Sequence, residues 1–399
     1  MRLQEVHDGA LSATDGRAVL RERERDPQEQ TVHFERRGRL PMPSLKGAER
    51  LTYRLQTVRP WTSLVETLTG AFPTTNVWWL ADGTVLATSG RVLFASRDGG
   101  RSWTERRRLP PSSGPMGVLP SGLCERDGTV YLGEYPLATD ATPRVLRSDD
   151  AGRHWETALS LPDVRHVHAV ATDPWAGDVW VTTGDTDDEC RIGRLRDGRL
   201  DVVGGGSQLW RAVDLAFAPD AVLWGVDCAY RAENEVLRLD REALASGKWA
   251  DTSGPSPDVV TTLSSSVYYA ATLAAGDETW VALTTAVEPG EDRTAPADAD
   301  AATAGAARVV AASSATDYET WHELASFEAA TCPADLGLAG GRLPVACSYV
   351  FLAADPDRGL FYTPFNTARG HGELYRTSLA ELRALDDGAE RRRVESRAD

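Results

Sequence analysis

The stretch VWWLADGTVLATSGRVLFASRDGGRSWTERRRL, residues 77–109, decides the fold. It reads as short apolar runs separated by turn signals. Asp82 and Gly83 part the first two runs, and an Asp-Gly pair between alternating apolar runs marks a hairpin. A later turn, Arg97 to Ser102, precedes a strand led by Trp103. The same order returns from Leu123 to Leu161: LCER, an Asp-Gly turn, TVYLGEY, PRVLRS, a polar turn, and a strand led by Trp155. A third copy starts at His166 and a fourth at Trp210. A fifth spans Val267 to Phe327, and a sixth runs from about Leu336 to Leu382.

Six units of about 40–60 residues, each with about four short strands, predict an all-β chain. The expected architecture is a six- or seven-bladed β-propeller of four-stranded antiparallel blades. The N-terminal pieces RAVLRE (17–22) and TVHFERRGRL (31–40) supply a partial further blade or close the ring with the C-terminal strand. This divides the chain into an N-terminal segment, 1–70, the propeller, 71–385, and a charged C-terminal tail, 386–399. With 35 Gly and 22 Pro, almost every window is broken, which argues against helices. Residues 288–307, rich in Ala, Asp, Pro and Gly, read as a flexible acidic loop inserted in the fifth unit.

Two turns carry a family resemblance. Ser96, Asp98, Gly100, Ser102 and Trp103 match the pattern Ser-x-Asp-x-Gly-x-Thr-Trp with one conservative change, and Ser148, Asp150, Gly152, His154 and Trp155 match it with His for Thr. Ser314 and Trp321 keep the offset, with Thr316 and Tyr318 replacing Asp and Gly. In these positions the chain resembles the Asp-box (BNR repeat) sialidase-like propellers. The resemblance implies Asp-box hairpins between the third and fourth strands of a blade. There Asp binds turn amides, Gly takes positive φ and Trp packs between blades. It also implies that these hairpins lie on the rim away from the ligand, so Asp98 and Asp150 are scaffold residues.

The formal charge is −16, a field that repels nucleic acid and anionic membranes. Of 43 basic residues 41 are arginine, with lysine only at Lys46 and Lys248, a balance that fits a halophilic, high-salt cytoplasm. No apolar run is long enough to span a bilayer, and Met1 to Gln30 lacks the apolar core of a secretory leader, so the expected location is cytoplasmic. The five cysteines are widely spaced, with no CxxC pair, and read as free thiols.

In a propeller the starts of innermost strands and the loops between second and third strands share one face, where ligands bind. Four units send polar or aromatic groups there. The third unit offers Arg165, His166 and His168 at the start of its first strand and Asp185 after its second. Alternation along a strand sets His166 and His168 on one side. The fourth unit offers Arg211, Asp227 and Tyr230, the second Glu134 and Tyr135, and the sixth Arg369 and His371. His166, His168, Asp185 and Arg211 are the catalytic candidates. Glu134, Tyr135, Arg165, Asp227, Tyr230, Arg369 and His371 are the substrate-binding candidates.

The resemblance implies a carbohydrate-active protein, a glycoside hydrolase or polysaccharide lyase acting on an anionic oligosaccharide. Sialidases use a Tyr–Glu pair, an Asp acid and three arginines. Here Arg165, Arg211 and Arg369 supply guanidiniums, Tyr135 or Tyr230 a phenol, and Glu134 or Asp185 a carboxyl. The chain departs from that pattern in lacking an early Arg-Ile-Pro, for which Arg39-Leu40-Pro41 stands. A lyase would instead use neutral His as base and Arg against a uronate. The alternative is a non-catalytic binding or assembly module. No cofactor is called for, although His166, His168 and Asp185 are also suitable ligands for a divalent metal. P-loop, dinucleotide, HExxH and GxSxG motifs are absent.

Overall fold

The computed structural model describes residues 1–23, 31–110, 117–137, 141–245, 255–288, 305–333 and 345–386. Their strands form antiparallel meanders, each strand pairing with the next in sequence. Five are separate four-stranded sheets. A further seven-stranded sheet holds a four-stranded meander, starting at strand Val267–Ala275, and a three-stranded one, starting at strand Ser348–Asp355. Ala286 and Val287 pair with Tyr349 and Ser348 to join the two. In chain order the meanders begin at Arg2, Thr75, Leu123, Val167, Ala216, Val267 and Ser348.

The N-terminal segment forms a four-stranded sheet of its own, Arg2–His7 to Phe34–Arg39. Helices Gly47–Thr57 and Trp61–Thr69 follow it. The expectation that Gly and Pro exclude helices fails here. Between Ala48 and Thr57 there is neither, and Pro60 lies just outside the second helix, where a missing amide is tolerated. In the fifth meander the fourth strand is Asp258–Leu263, and the short helix Arg241–Ala245 precedes it. The acidic insertion falls between strands Glu278–Val287 and Ala306–Ser313, and its residues 289–304 lie outside the described part.

Apolar clusters weld neighbouring meanders. Leu86, Leu93, Val130, Leu132 and Leu146 join the second to the third. Trp180, Trp210, Phe217 and Trp224 join the fourth to the fifth. Leu223, Val236, Val281, Leu283 and Tyr318 join the fifth to the sixth. Each fully buried Leu or Val contributes about 1.5–3 kcal/mol. Leu3 and Leu11 of the first meander meet Tyr349, Phe351 and Phe361 of the last, which closes the ring. Across this seam Arg358, itself buried, binds Glu22 at 2.6 Å and Asp355 at 2.7 Å, and it donates to the Gly9 carbonyl at 3.0 Å.

The Asp98 and Asp150 turns are built alike. Asp98 Oδ1 accepts from the amides of Arg101 and Ser102, at 3.0 and 2.8 Å, and from the Ser96 hydroxyl at 2.8 Å. Asp150 Oδ1 accepts from the amides of Arg153 and His154 and from the Ser148 hydroxyl, each at 2.9 Å. Trp103 and Trp155 donate their indole N–H to the Gly100 and Gly152 carbonyls, at 2.9 and 3.1 Å. The degenerate copy keeps that last bond, Trp321 to the Tyr318 carbonyl at 2.9 Å. Tyr318 takes the glycine's place at φ 58° and buries its ring in the cluster between the fifth and sixth meanders.

Candidate functional site

The site begins with a β-bulge. In strand Val167–Thr172, Val167 pairs with Thr183 but Ala169 pairs with Thr182, so His168 is an extra residue without a cross-strand partner. Bulges re-aim side chains, and here one directs the imidazole of His168 next to that of His166, ring centres 4.9 Å apart. The strand can take this place because Gly133 ends the second strand of the preceding meander. A Cβ at Gly133 would stand 2.5 Å from the Val167 side chain. The Glu134 carbonyl then accepts the Val167 amide at 3.1 Å.

Asp185 is the hub. It follows strand Val179–Thr183, whose loop is held by Gln208 and Arg211, each donating to the Asp185 carbonyl at 3.1 Å. Its Oδ2 accepts from Arg165 at 2.8 Å. Its Oδ1 faces His166 Nε2 at 3.2 Å, His168 Nε2 at 3.8 Å and Arg211 Nη2 at 3.3 Å. Arg211 continues to Asp227 Oδ2 at 3.4 Å. Tyr135 stacks on His166 with ring centres 4.0 Å apart. Both imidazoles are 2% exposed and Asp185 is 17% exposed. All seven convergent side chains, Tyr135, Arg165, His166, His168, Asp185, Arg211 and Asp227, thus come from the starts of innermost strands and from loops after second strands in three successive meanders.

Charge and burial compete throughout the group. Burial pulls His168 down to about 4, against the favourable pull of Asp185, so the ring is neutral at pH 7. Burial pushes Asp185 up, but the contacts with His166 and His168 outweigh it and hold the carboxyl below its usual range. Asp227 is pushed up to about 7 by burial, with Arg211 opposing and Glu288 reinforcing. Burial lowers Arg211, yet Asp227 and Asp185 more than restore its charge. The Tyr135 phenol is raised far above its ordinary value, by burial first and by Asp185 and Asp227 next.

Other predicted positions lie apart from this group. Glu134 is fully buried in a two-bond pair with Arg144, at 2.7 and 2.8 Å, and serves its own hairpin. His371 Nδ1 accepts the Asn366 amide at 2.8 Å and its ring lies on Phe365. The Arg369 carbonyl accepts the Thr367 hydroxyl at 2.8 Å in the same loop. Tyr230 is 71% exposed.

Tyr268 also belongs to the polar belt of the site, although no motif in the sequence marked it. It is the extra residue of a second bulge, between Val267 and Tyr269, at the same point of the sixth meander as His168 in the fourth. Gly225 opposes Val267 as Gly133 opposes Val167, with a virtual Cβ 2.5 Å from the Val267 Cβ. Tyr268 donates to Cys347 Sγ at 3.5 Å and senses the charges of Glu288 and Asp227, which extends the polar belt to the seventh meander. The shared signal is a Gly closing one second strand with a Val leading the next innermost strand.

Beside the group, Ser121 donates to the carbonyls of His168 and Val213, at 3.1 and 2.9 Å. It also lines a central cavity of about 330 Å³ with Gln4, Glu5, Trp78, Asp214 and Tyr269. Burial raises Glu5 to about 8 and Asp214 to about 7. Among the described residues no helix is long and apolar enough to cross a membrane.

No protein-family model matches the sequence, and no curated protein does. Among solved structures the chain is similar to a chain of the mitotic checkpoint complex, at 9% identity and TM-score 0.49, over 95% of this chain and 90% of that one. It is similar to an ancestral GH74 enzyme at 10% identity and TM-score 0.47, over 94% of this chain but 46% of that one. It is also similar to Saccharomyces cerevisiae Sqt1, at 11% identity and TM-score 0.43, over 93% of this chain and 83% of that one. These likenesses assign the chain to no family.

Proposed function

We propose that this is a carbohydrate-active propeller of the Asp-box type, acting on an anionic oligosaccharide at the Asp185 group. One observation carries the reading. A neutral, buried imidazole, His168, stands beside two guanidiniums, Arg165 and Arg211, on a shared carboxylate. Guanidiniums pair with a sugar carboxylate in two-bond geometry, and neutral imidazole takes up protons.

Lyase chemistry is favoured over sialidase chemistry. Glu134, the candidate partner for a tyrosine nucleophile, is occupied by Arg144, and Arg369 belongs to the His371 loop. In the lyase step, Arg165 or Arg211 neutralises the uronate carboxylate and His168 takes the proton from the carbon next to it. The electron pair forms the carbon–carbon double bond, the glycosidic C–O bond breaks, and the departing oxygen takes up a proton. No water is consumed.

The second reading is a binding module. It is supported by the pairing of both guanidiniums with Asp185, which leaves a ligand to compete for them. The test is a screen of the full chain, in high salt, against uronate-containing oligosaccharides and sialosides. A lyase yields an absorbing unsaturated product, a hydrolase yields reducing ends without absorbance, and a binder shows affinity without turnover. His168→Ala and Arg211→Ala are expected to abolish binding or turnover with the fold intact. Unchanged binding in both variants rejects the assignment.

A further inference from the structure

The two imidazoles of the site are oriented by carbonyl oxygens. His166 Nδ1 lies 3.3 Å from the Pro136 carbonyl, and His168 Nδ1 lies 3.2 Å from the Ala212 carbonyl. A carbonyl cannot donate, so in each ring Nδ1 carries the hydrogen. A neutral ring then has a bare lone pair on Nε2. Both Nε2 atoms face one oxygen, Asp185 Oδ1. In a neutral ring of this tautomer the Nε2 lone pair is aimed at a carboxylate oxygen with no hydrogen between.

A cation between these three atoms turns that repulsion into ligation. We propose that His166, His168 and Asp185 bind one divalent first-row transition ion. The proposal goes beyond the carbohydrate reading and does not depend on it. The three donor atoms already lie within 4.8 Å of one another. Ligands about 2.1 Å from a common ion are about 3.0–3.4 Å apart, so the triangle tightens by about 1 Å on binding. Two imidazoles with one carboxylate suit Zn²⁺, Mn²⁺ or Co²⁺ rather than Ca²⁺ or Mg²⁺. The outer contacts fit the same role. Backbone carbonyls hold both Nδ1–H groups, and Arg165 fixes Oδ2 while Oδ1 turns to the ion. Three protein ligands leave at least one position for water or an anionic group.

Arg211 opposes the ion. Its contact with Oδ1 is long, at 3.3 Å, and is the one the ion displaces. Its bond to the Asp185 carbonyl and its pairing with Asp227 remain.

The test strips the full chain with chelator, equilibrates it with Zn²⁺ or Mn²⁺, and counts bound metal by mass spectrometry after desalting. One ion per chain is expected for the wild type, with affinity at least tenfold weaker in His166→Ala and His168→Ala. Arg211→Met, which keeps all three ligands, is expected to bind several-fold more tightly. Wild-type binding no stronger than that of the two histidine variants overturns the proposal. Should those variants fail to fold, the wild type loaded with Co²⁺ decides alone. Visible absorption of a nitrogen-ligated Co²⁺ site supports the proposal, and its absence at stoichiometric metal overturns it. None of these readouts involves a sugar, so failure of the carbohydrate reading is seen separately.

Discussion

Asp150 and Asp185 each hold a histidine, and the two pairs are built in opposite ways. Asp150 meets His154 four residues on, in a turn whose other bonds are also local, and the imidazole is 90% exposed. Asp185 meets His166, His168, Arg165 and Arg211 across 17 to 26 residues of chain, and both imidazoles are buried. The first carboxylate completes a turn that water could largely solvate. The second holds two buried imidazoles, the mostly buried Arg211 and the partly exposed Arg165, so its removal deprives every partner at once.

The largest effect is expected at Asp185. Asp185→Ala leaves two guanidiniums without their shared partner and should cost about 3–5 kcal/mol, together with all ligand binding. Urea denaturation of the variant measures it; a loss no greater than that of Asp150→Ala would erase the contrast. The next effect tests the scaffold under the histidines. Gly133→Ala forces a methyl group against Val167 and should cost about 1–3 kcal/mol while shifting His166 and His168. Binding should fall in this variant although no binding group is changed.

Acidity separates the regions by sign. Asp227 is raised to about 7 from 3.8, so the folded state holds its proton more tightly than the unfolded chain does. Its contribution is full below about pH 4 and is lost as pH rises to about 7. Asp150 is depressed, by its bonds to His154 first, so its contribution is present above about pH 4 and is lost as pH falls further. Asp227→Asn should flatten the stability profile between pH 4 and 7, whereas Asp150→Asn should flatten it only on the acid side. Urea midpoints from about pH 2 to about pH 7 measure both. The smallest effect belongs to His154→Ala. Its ring lies in solvent, so the midpoint should not move measurably while Asp150 keeps its amide bonds.

The same contrast explains what could be read from the sequence. The Asp98 and Asp150 turns are local, so spacing alone reveals their residues, and the meanders follow from hairpin signals of the same short range. His166, His168, Asp185 and Arg211 could be grouped because propeller geometry sends the starts of inner strands and certain loops to one face. Glu134 satisfied that rule and still failed to join. Its partner Arg144 sits across its own hairpin, and pairing of that kind leaves no periodic mark. Tyr268 was missed because a bulge adds one residue without changing the apolar pattern. The first sheet looked partial because only its last two strands, Ala18–Glu22 and Phe34–Arg39, were legible, while Arg2–His7 and Ala10–Asp15 mix charged, polar and apolar residues without a strong hairpin signal.

The seam between the first and last meanders also has a timetable. Glu22 and Arg358 are 336 residues apart. At about 5–20 residues per second, a ribosome makes the second roughly 20–70 s after the first. For that interval the earliest sheet waits beside unfinished chain with an acid meant for a buried arginine, and the circle locks only when nearly all of its circumference has been synthesised.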